Sequence, residues 1–195
     1  MVSAESSGNR TLWRVFPWDP DAPNGAPFSP AFIPPVQGSG RFDLGTSPVL
    51  YLAESAEHAI GEVIQPFRGR LMRPAHLRRF GKGLALVAVT VAEVVVARVA
   101  DLTDPATLLH HGVRPDVLAG HDTQRTQAIA RILHAAGLPG FRWWSALSGD
   151  WHTIVLFLDR LEPDALVFAT PELLSLELPM VRVAAEILGV RIRGG

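Results

Sequence analysis

Apolar and polar residues alternate along "TLWRVF" (11–16) and apolar ones run together in "VLYLA" (49–53), which predicts a strand at each. After Ser55 the period changes. Ala56, Ala59, Ile60, Val63, Ile64 and Phe67 recur at helical steps, so a helix over 56–67 is expected, capped by Ser55. Between the two strands, "PWDPDAPNGAPFSPAFIPPVQGSG" (17–40) has too much proline and glycine for any regular element. Loops of that length tend to be lids or binding segments. "FRGRLMRPAHLRRFGKG" reads as a basic loop or short helix. "LALVAVTVAEVVVARVADL" (84–102) is β-branched and too long for one strand, so it should bend or bulge near Ala92-Glu93. "TDPATLL" starts a helix with Thr103 or Asp104 as cap, and "HDTQRTQAIARILHAAG" (121–137) is a helix ending at Gly137. "FRWWSA" (141–146) and "HTIVLFL" (152–158) predict two strands joined by "LSGD"; "ALVFA" adds another, and the tail closes with a helix and a final strand. Residues 1–10 are polar and expected to fray. With strands outnumbering helices, the pattern is that of one mixed α+β domain over 11–195.

Composition narrows the chemistry. A chain of 195 residues with 48% apolar and 19% charged residues can bury a core without staples. Cysteine is absent, which excludes disulfides, thiolate nucleophiles and cysteine-ligated zinc. A formal net charge of -1 exerts no global pull toward nucleic acid or acidic membranes. No apolar run approaches the roughly 18 residues of a membrane span, and no secretory signal is visible, so a cytoplasmic location is expected. Seven histidines raise the question of a metal. The adjacent His110 and His111 should point different ways, and no H-E-x-x-H occurs, so no metal and no bound cofactor is expected. No G-x-S-x-G elbow supports a serine hydrolase.

Candidate chemistry gathers in "SGRFDLGTSPVLYLAESAEHAIGEVIQPF" (39–67), where Arg41, Tyr51 (the single tyrosine) and Glu62 sit on a turn, a strand and a helix. Breaking an N-glycosidic bond builds positive charge on the sugar, which a carboxylate can stabilise. An arginine fork can grip a pyrophosphate, and a tyrosine ring offers a face to a heteroaromatic base. Together these would suit a nucleotide such as NAD. No Rossmann glycine motif follows a strand, so another architecture would have to bind it. The bland readings fit the same residues: a surface arginine, a core tyrosine, and a solvated glutamate about 120° from the centre of its helix's apolar stripe.

In order along the chain, "LWRVF", "GRFD", "LYLAES", "AIGEV", "VADLTDP", "TQAIARILHAAGLPGFRWWSA" and "IVLFLDR" resemble the RES-domain family, over about residues 11–160. That family includes toxins of bacterial toxin–antitoxin pairs. The resemblance implies an ADP-ribosyltransferase-like mixed-sheet domain with flanking helices, leaving 161–195 as a C-terminal extension. It implies cleavage of the nicotinamide–ribose bond of NAD, with inorganic phosphate or water as acceptor, and an Xre-type helix-turn-helix antitoxin as partner. A homodimer stays open. By resemblance Arg41 would hold phosphate, Tyr51 would line the nicotinamide side, Glu62 would stabilise the ribosyl cation and Ser145 would bond ribose or the nicotinamide amide. Ser148 is an alternative to Ser145. Asp43 departs from the family, where asparagine is commoner; it would weaken a phosphate site or pair with Arg41. The rival activities are ADP-ribosyl transfer to a macromolecule and NAD binding without turnover. The basic residues Arg68, Arg70, Arg73, Arg78, Arg79 and Lys82 form either a solvated face or an attraction for phosphates or an acidic antitoxin. Trp143, Trp144 and Trp151 stack on adenine or pack the core.

Overall fold

The computed structural model describes residues 8–35 and 37–192. Its strands are β1 (Arg10–Trp18), β2 (Val49–Ala53), β3 (Leu71–Met72), β4 (Arg78–Arg79), β5 (Lys82–Val91), β6 (Ala100–Asp101), β7 (Gly140–Trp144), β8 (His152–Phe157), β9 (Leu166–Phe168), β10 (Glu172–Leu173) and β11 (Arg191–Ile192). Its helices are α1 (Ala56–Ile64), α2 (Glu93–Val96), α3 (Pro105–His110), α4 (Pro115–Ala119), α5 (Thr123–Ala135) and α6 (Pro179–Leu188). One mixed sheet runs β10-β5-β1-β2-β8-β7-β6, with β4 and β9 also on β5. Among the described residues only β6 and β7 pair in parallel within it. β11 and β3 form a separate parallel pair that ties the C-terminal segment to the region after α1.

Strand alternation sorts the core into three clusters. Leu12, Phe16, Leu50, Leu52, Val87, Val89, Ile154 and Leu156 point to one face of the sheet. On the other face Ile60 and Ile64 of α1 pack with Val181, Ala184, Ala185 and Leu188 of α6. Beside them on that face Phe42, Phe141, Trp143, Ile129 and Leu133 form a further cluster under α5. Two clusters on one face leave a gap between them, and the cleft described below occupies it.

Local chemistry explains most boundaries. The Ser55 hydroxyl accepts from His58 N at 3.1 Å and starts α1 as expected. The helix stops at Ile64 instead of reaching 67, because Pro66 has no N–H to continue the ladder; Gln65–Phe67 tighten into a 3-10 turn. β5 breaks at Ala92, where α2 begins. Asp104, not Thr103, caps α3, accepting from Thr107 N at 2.9 Å. The short helix α4 was not expected. The fraying expected of residues 1–10 falls partly on 1–7, which lie outside the described residues, whereas Arg10 already belongs to β1 and pairs with Val91. Arg142, between Phe141 and Trp143, turns away from them and binds Glu54 at 2.6 Å and Asp101 at 3.1 Å, so it clasps the sheet.

Gly61 has a steric reason. A Cβ there would lie 2.6 Å from the Trp151 ring, so Gly61→Ala should destabilise the fold by about 1–3 kcal/mol, checked by urea unfolding.

Candidate active site

β1 and β2 meet at a single registered pair, Trp13 with Ala53. Their parting, together with the gap between the two core clusters, opens a cleft of about 560 Å³. Ile33, Pro34, Gln37 and Gly40 line one wall, so part of the long loop reaches the site. Gln37 stands in for a missing strand: its amide donates to Val49 O at 3.0 Å and its oxygen accepts from Val49 N at 2.6 Å. Nothing in the sequence singled out Gln37, because a lone glutamine in a loop carries no pattern.

Arg41, Tyr51 and Glu62 all line this cleft. The Arg41 Nη2 donates to Leu118 O at 2.6 Å and Gly120 O at 2.8 Å, at the end of α4. Its guanidinium carbon lies 4.4 Å from the centre of the Trp143 ring. Two donors stay unmet: Arg41 Nε and Trp143 Nε1 are buried without a hydrogen-bond partner among the described residues. Buried donors are rarely orphaned, so such a pair points to an acceptor-rich ligand. Desolvation lowers the Arg41 pKa, and Glu62 and Tyr51 oppose that shift.

Asp43 corrects the sequence reading. It does not pair with Arg41. Its carboxylate, buried in the turn, accepts from Gly40 N at 2.6 Å and from the Tyr51 hydroxyl at 2.8 Å. A Cβ on Gly40 would collide with it. The Tyr51 oxygen also accepts from Phe42 N at 2.9 Å. Burial, and then the Asp43 charge, push the Tyr51 pKa well above its ordinary value. The hydroxyl is thus bound to the turn carrying Arg41, while the residue lines the cleft. Tyr51→Phe should cost about 1–3 kcal/mol, because the Phe42 N–H and one Asp43 oxygen lose their partner; chemical denaturation measures it.

Glu62 projects from α1 with its side chain 46% exposed. Its Oε1 lies 3.1 Å from His58 Nε2 and accepts from Ser145 Oγ at 3.3 Å; its Oε2 accepts from Gln65 Nε2 at 3.2 Å. Ser145 also accepts from Leu147 N at 3.1 Å and is buried. Ser148 contributes its backbone carbonyl to Trp151 N instead. Trp143 and Trp151 are buried; Trp143 and His58 line the cleft, while Trp144 packs partly buried against the cluster under α5.

A residue the sequence reading passed over is Arg14. It lines the cleft, and its Nη1 has only long contacts, to Pro30 O at 3.5 Å and Phe32 O at 3.4 Å. The residue keeps some exposure through the cleft, yet burial of the guanidinium pulls its pKa down to about 10. It sits between the buried Leu12 and Phe16 on the same side of β1, a charged residue where alternation calls for an apolar one. His110 and His111 also depart from expectation, since their rings meet edge-to-face at 4.7 Å. Among the described residues no group of three or more His, Cys, Asp or Glu could hold a metal ion, and no helix is long and apolar enough to cross a membrane.

Residues 11–180 match the RES domain family. The chain belongs to that family. The match runs 20 residues past "IVLFLDR" and takes in the start of α6. Among solved structures, the MbcT toxin in the M. tuberculosis MbcT-MbcA toxin-antitoxin complex is similar, with a TM-score of 0.58 and 21% identity. The likeness covers 95% of this chain and 93% of that one. It shows a shared fold, the mixed-sheet α+β architecture with flanking helices expected of an ADP-ribosyltransferase-like RES domain. No curated protein is similar enough to count as a relative.

Proposed function

We propose that the cleft binds NAD and that the protein breaks its nicotinamide–ribose bond. The observation that carries this reading is the pairing of a carboxylate, Glu62, with two cationic side chains, Arg14 and Arg41, whose protein partners are carbonyls, in a cleft of about 560 Å³. Phosphates would supply the counter-charge that Arg14 and Arg41 lack. They would also satisfy Arg41 Nε and, on the same wall, Trp143 Nε1. As the C–N bond breaks, its electron pair passes to the pyridinium nitrogen and nicotinamide leaves neutral. Positive charge then spreads over the ribose ring, where the Glu62 carboxylate stabilises it. Ser145 helps to hold that carboxylate, and Tyr51 presents a wall for the base. The oxygen of inorganic phosphate or water attacks the ribosyl carbon; water loses its proton to Glu62 or solvent. NAD is the substrate, so no separate cofactor is invoked.

RES domain membership and the fold shared with a toxin of a toxin-antitoxin complex support a toxin-like role, with an antitoxin as partner. An Xre-type antitoxin covering the cleft, action in the cytoplasm and a possible homodimer belong to this proposal. Purified protein mixed with NAD, with and without phosphate, tests it by mass spectrometry. Nicotinamide with ADP-ribose marks hydrolysis; ADP-ribose phosphate appearing only with phosphate marks phosphorolysis. ADP-ribose found on an added protein or nucleic acid would mark transfer. Intact NAD from folded, antitoxin-free protein overturns the catalytic reading and leaves at most a binding module.

A further inference from the structure

We infer that His58 is a positioning residue for Glu62, holding its carboxylate in the orientation that bond cleavage needs. This rests on the proposed role of Glu62. The His58 ring is buried, 1% exposed, at the base of a carboxylate that is itself half open to solvent. Its Nδ1 lies 3.1 Å from the His152 carbonyl. A carbonyl can only accept, so Nδ1 carries a hydrogen. Nε2 is left to Glu62 Oε1 at 3.1 Å, where a hydrogen on the ring nitrogen donates to the carboxylate. The carbonyl is itself anchored, since it also accepts from Glu54 N at 3.2 Å.

Packing removes the remaining freedom of the ring. Trp151 stacks on His58 with centroids 5.1 Å apart and planes inclined by 21°. The same indole fills the space over Gly61 where any side chain would collide. The line from His152 O through the imidazole to Oε1 is thus rigid. A half-exposed glutamate otherwise populates several rotamers, and holding one costs side-chain entropy. Ser145 at 3.3 Å and Gln65 at 3.2 Å are longer contacts to the same carboxylate, and Gln65 is on the exposed side. His58 is therefore the best-fixed group that orients Glu62.

The test compares His58→Leu, which fills the space without a polar atom, with His58→Gln, whose amide can reach Oε1. With NAD as substrate, His58→Leu should lower kcat by up to about 10²-fold, the cost of misplacing a reacting group by about 1 Å, with KM nearly unchanged. His58→Gln should restore most of kcat. An unchanged kcat in His58→Leu, or a loss that glutamine does not rescue, overturns the inference. A second measurement needs no activity: nitrogen NMR of the imidazole in the ligand-free protein. His58 Nδ1 should be protonated, and Glu62→Gln should move the Nε2 resonance. A resonance that stays in place overturns the inference too. If wild-type protein leaves NAD intact, the NAD reading fails, while the NMR result still decides whether His58 holds Glu62.

Discussion

Replacing Glu62 with glutamine should slow NAD cleavage by about 10²–10³-fold, the range found when an electrostatic stabiliser of a transition state is removed. The amide keeps the volume and one acceptor oxygen; placed at the Oε1 position it still accepts from Ser145, and only the contact from Gln65 on the exposed side is lost. What disappears is the negative charge facing the ribosyl cation. That charge matters in the transition state and little in the ground state, so kcat should fall while NAD affinity changes by no more than a few-fold. Rapid-quench measurement of nicotinamide release, beside calorimetric titration of NAD, separates the two quantities. A loss confined to affinity would make Glu62 a binding residue and remove the cation-stabilising role.

Replacing Arg14 with methionine should weaken NAD binding by about 10–100-fold, matching the ~1.5–3 kcal/mol of a hydrogen bond to a charged group. The same change should leave the melting temperature of the free protein unaltered or raised. Burial alone accounts for the lowered Arg14 pKa, and its nearest acceptors are two carbonyls at 3.4 and 3.5 Å. A cation held this way costs the empty fold free energy, and an apolar chain of similar length relieves that cost. A stability gain joined to a binding loss is the mark of a group kept for its ligand. Thermal melts and NAD titration of the variant, each against wild type, measure both. A lowered melting temperature with unchanged NAD affinity would assign Arg14 to the fold alone.

The two residues differ in how far the sequence exposed them. Glu62 stood out because "AIGEV" resembles a family motif, since its place off the apolar stripe fits a solvated glutamate equally well. Arg14 lay inside "LWRVF", and its parity with the buried Leu12 and Phe16 was the signal that the sequence reading missed. It reaches the cleft because β1 and β2 share one registered pair and then separate. His58 was hidden for a related reason. It is outside the stripe of Ala56, Ala59, Ile60, Val63, Ile64 and Phe67, yet it is buried, because Trp151, just before β8, closes over that side of α1. Asp43 was read as either weakening a phosphate site or pairing with the nearby Arg41. The turn directs it back to Gly40 and across to Tyr51, eight residues on, and leaves Arg41 to carbonyls from α4.

By itself the sequence determined what short-range physics controls. Alternation set the strands, the 3.6-residue period set α1, α5 and α6, and Ser55 and Asp104 capped their helices. Residue type set the exclusions, since a chain without cysteine has no thiolate chemistry. Ordered motifs indicated the family and four site residues. Tertiary structure alone decided which of those residues share a cleft, which hydrogen bonds they spend on the fold, and which unremarked neighbours join them. Hydrogen bonds and desolvation depend on groups brought together from distant positions, as in the contact of His58 with the His152 carbonyl 94 residues on. Periodicity along the chain carries no record of that distance, because it is closed only when the sheet assembles.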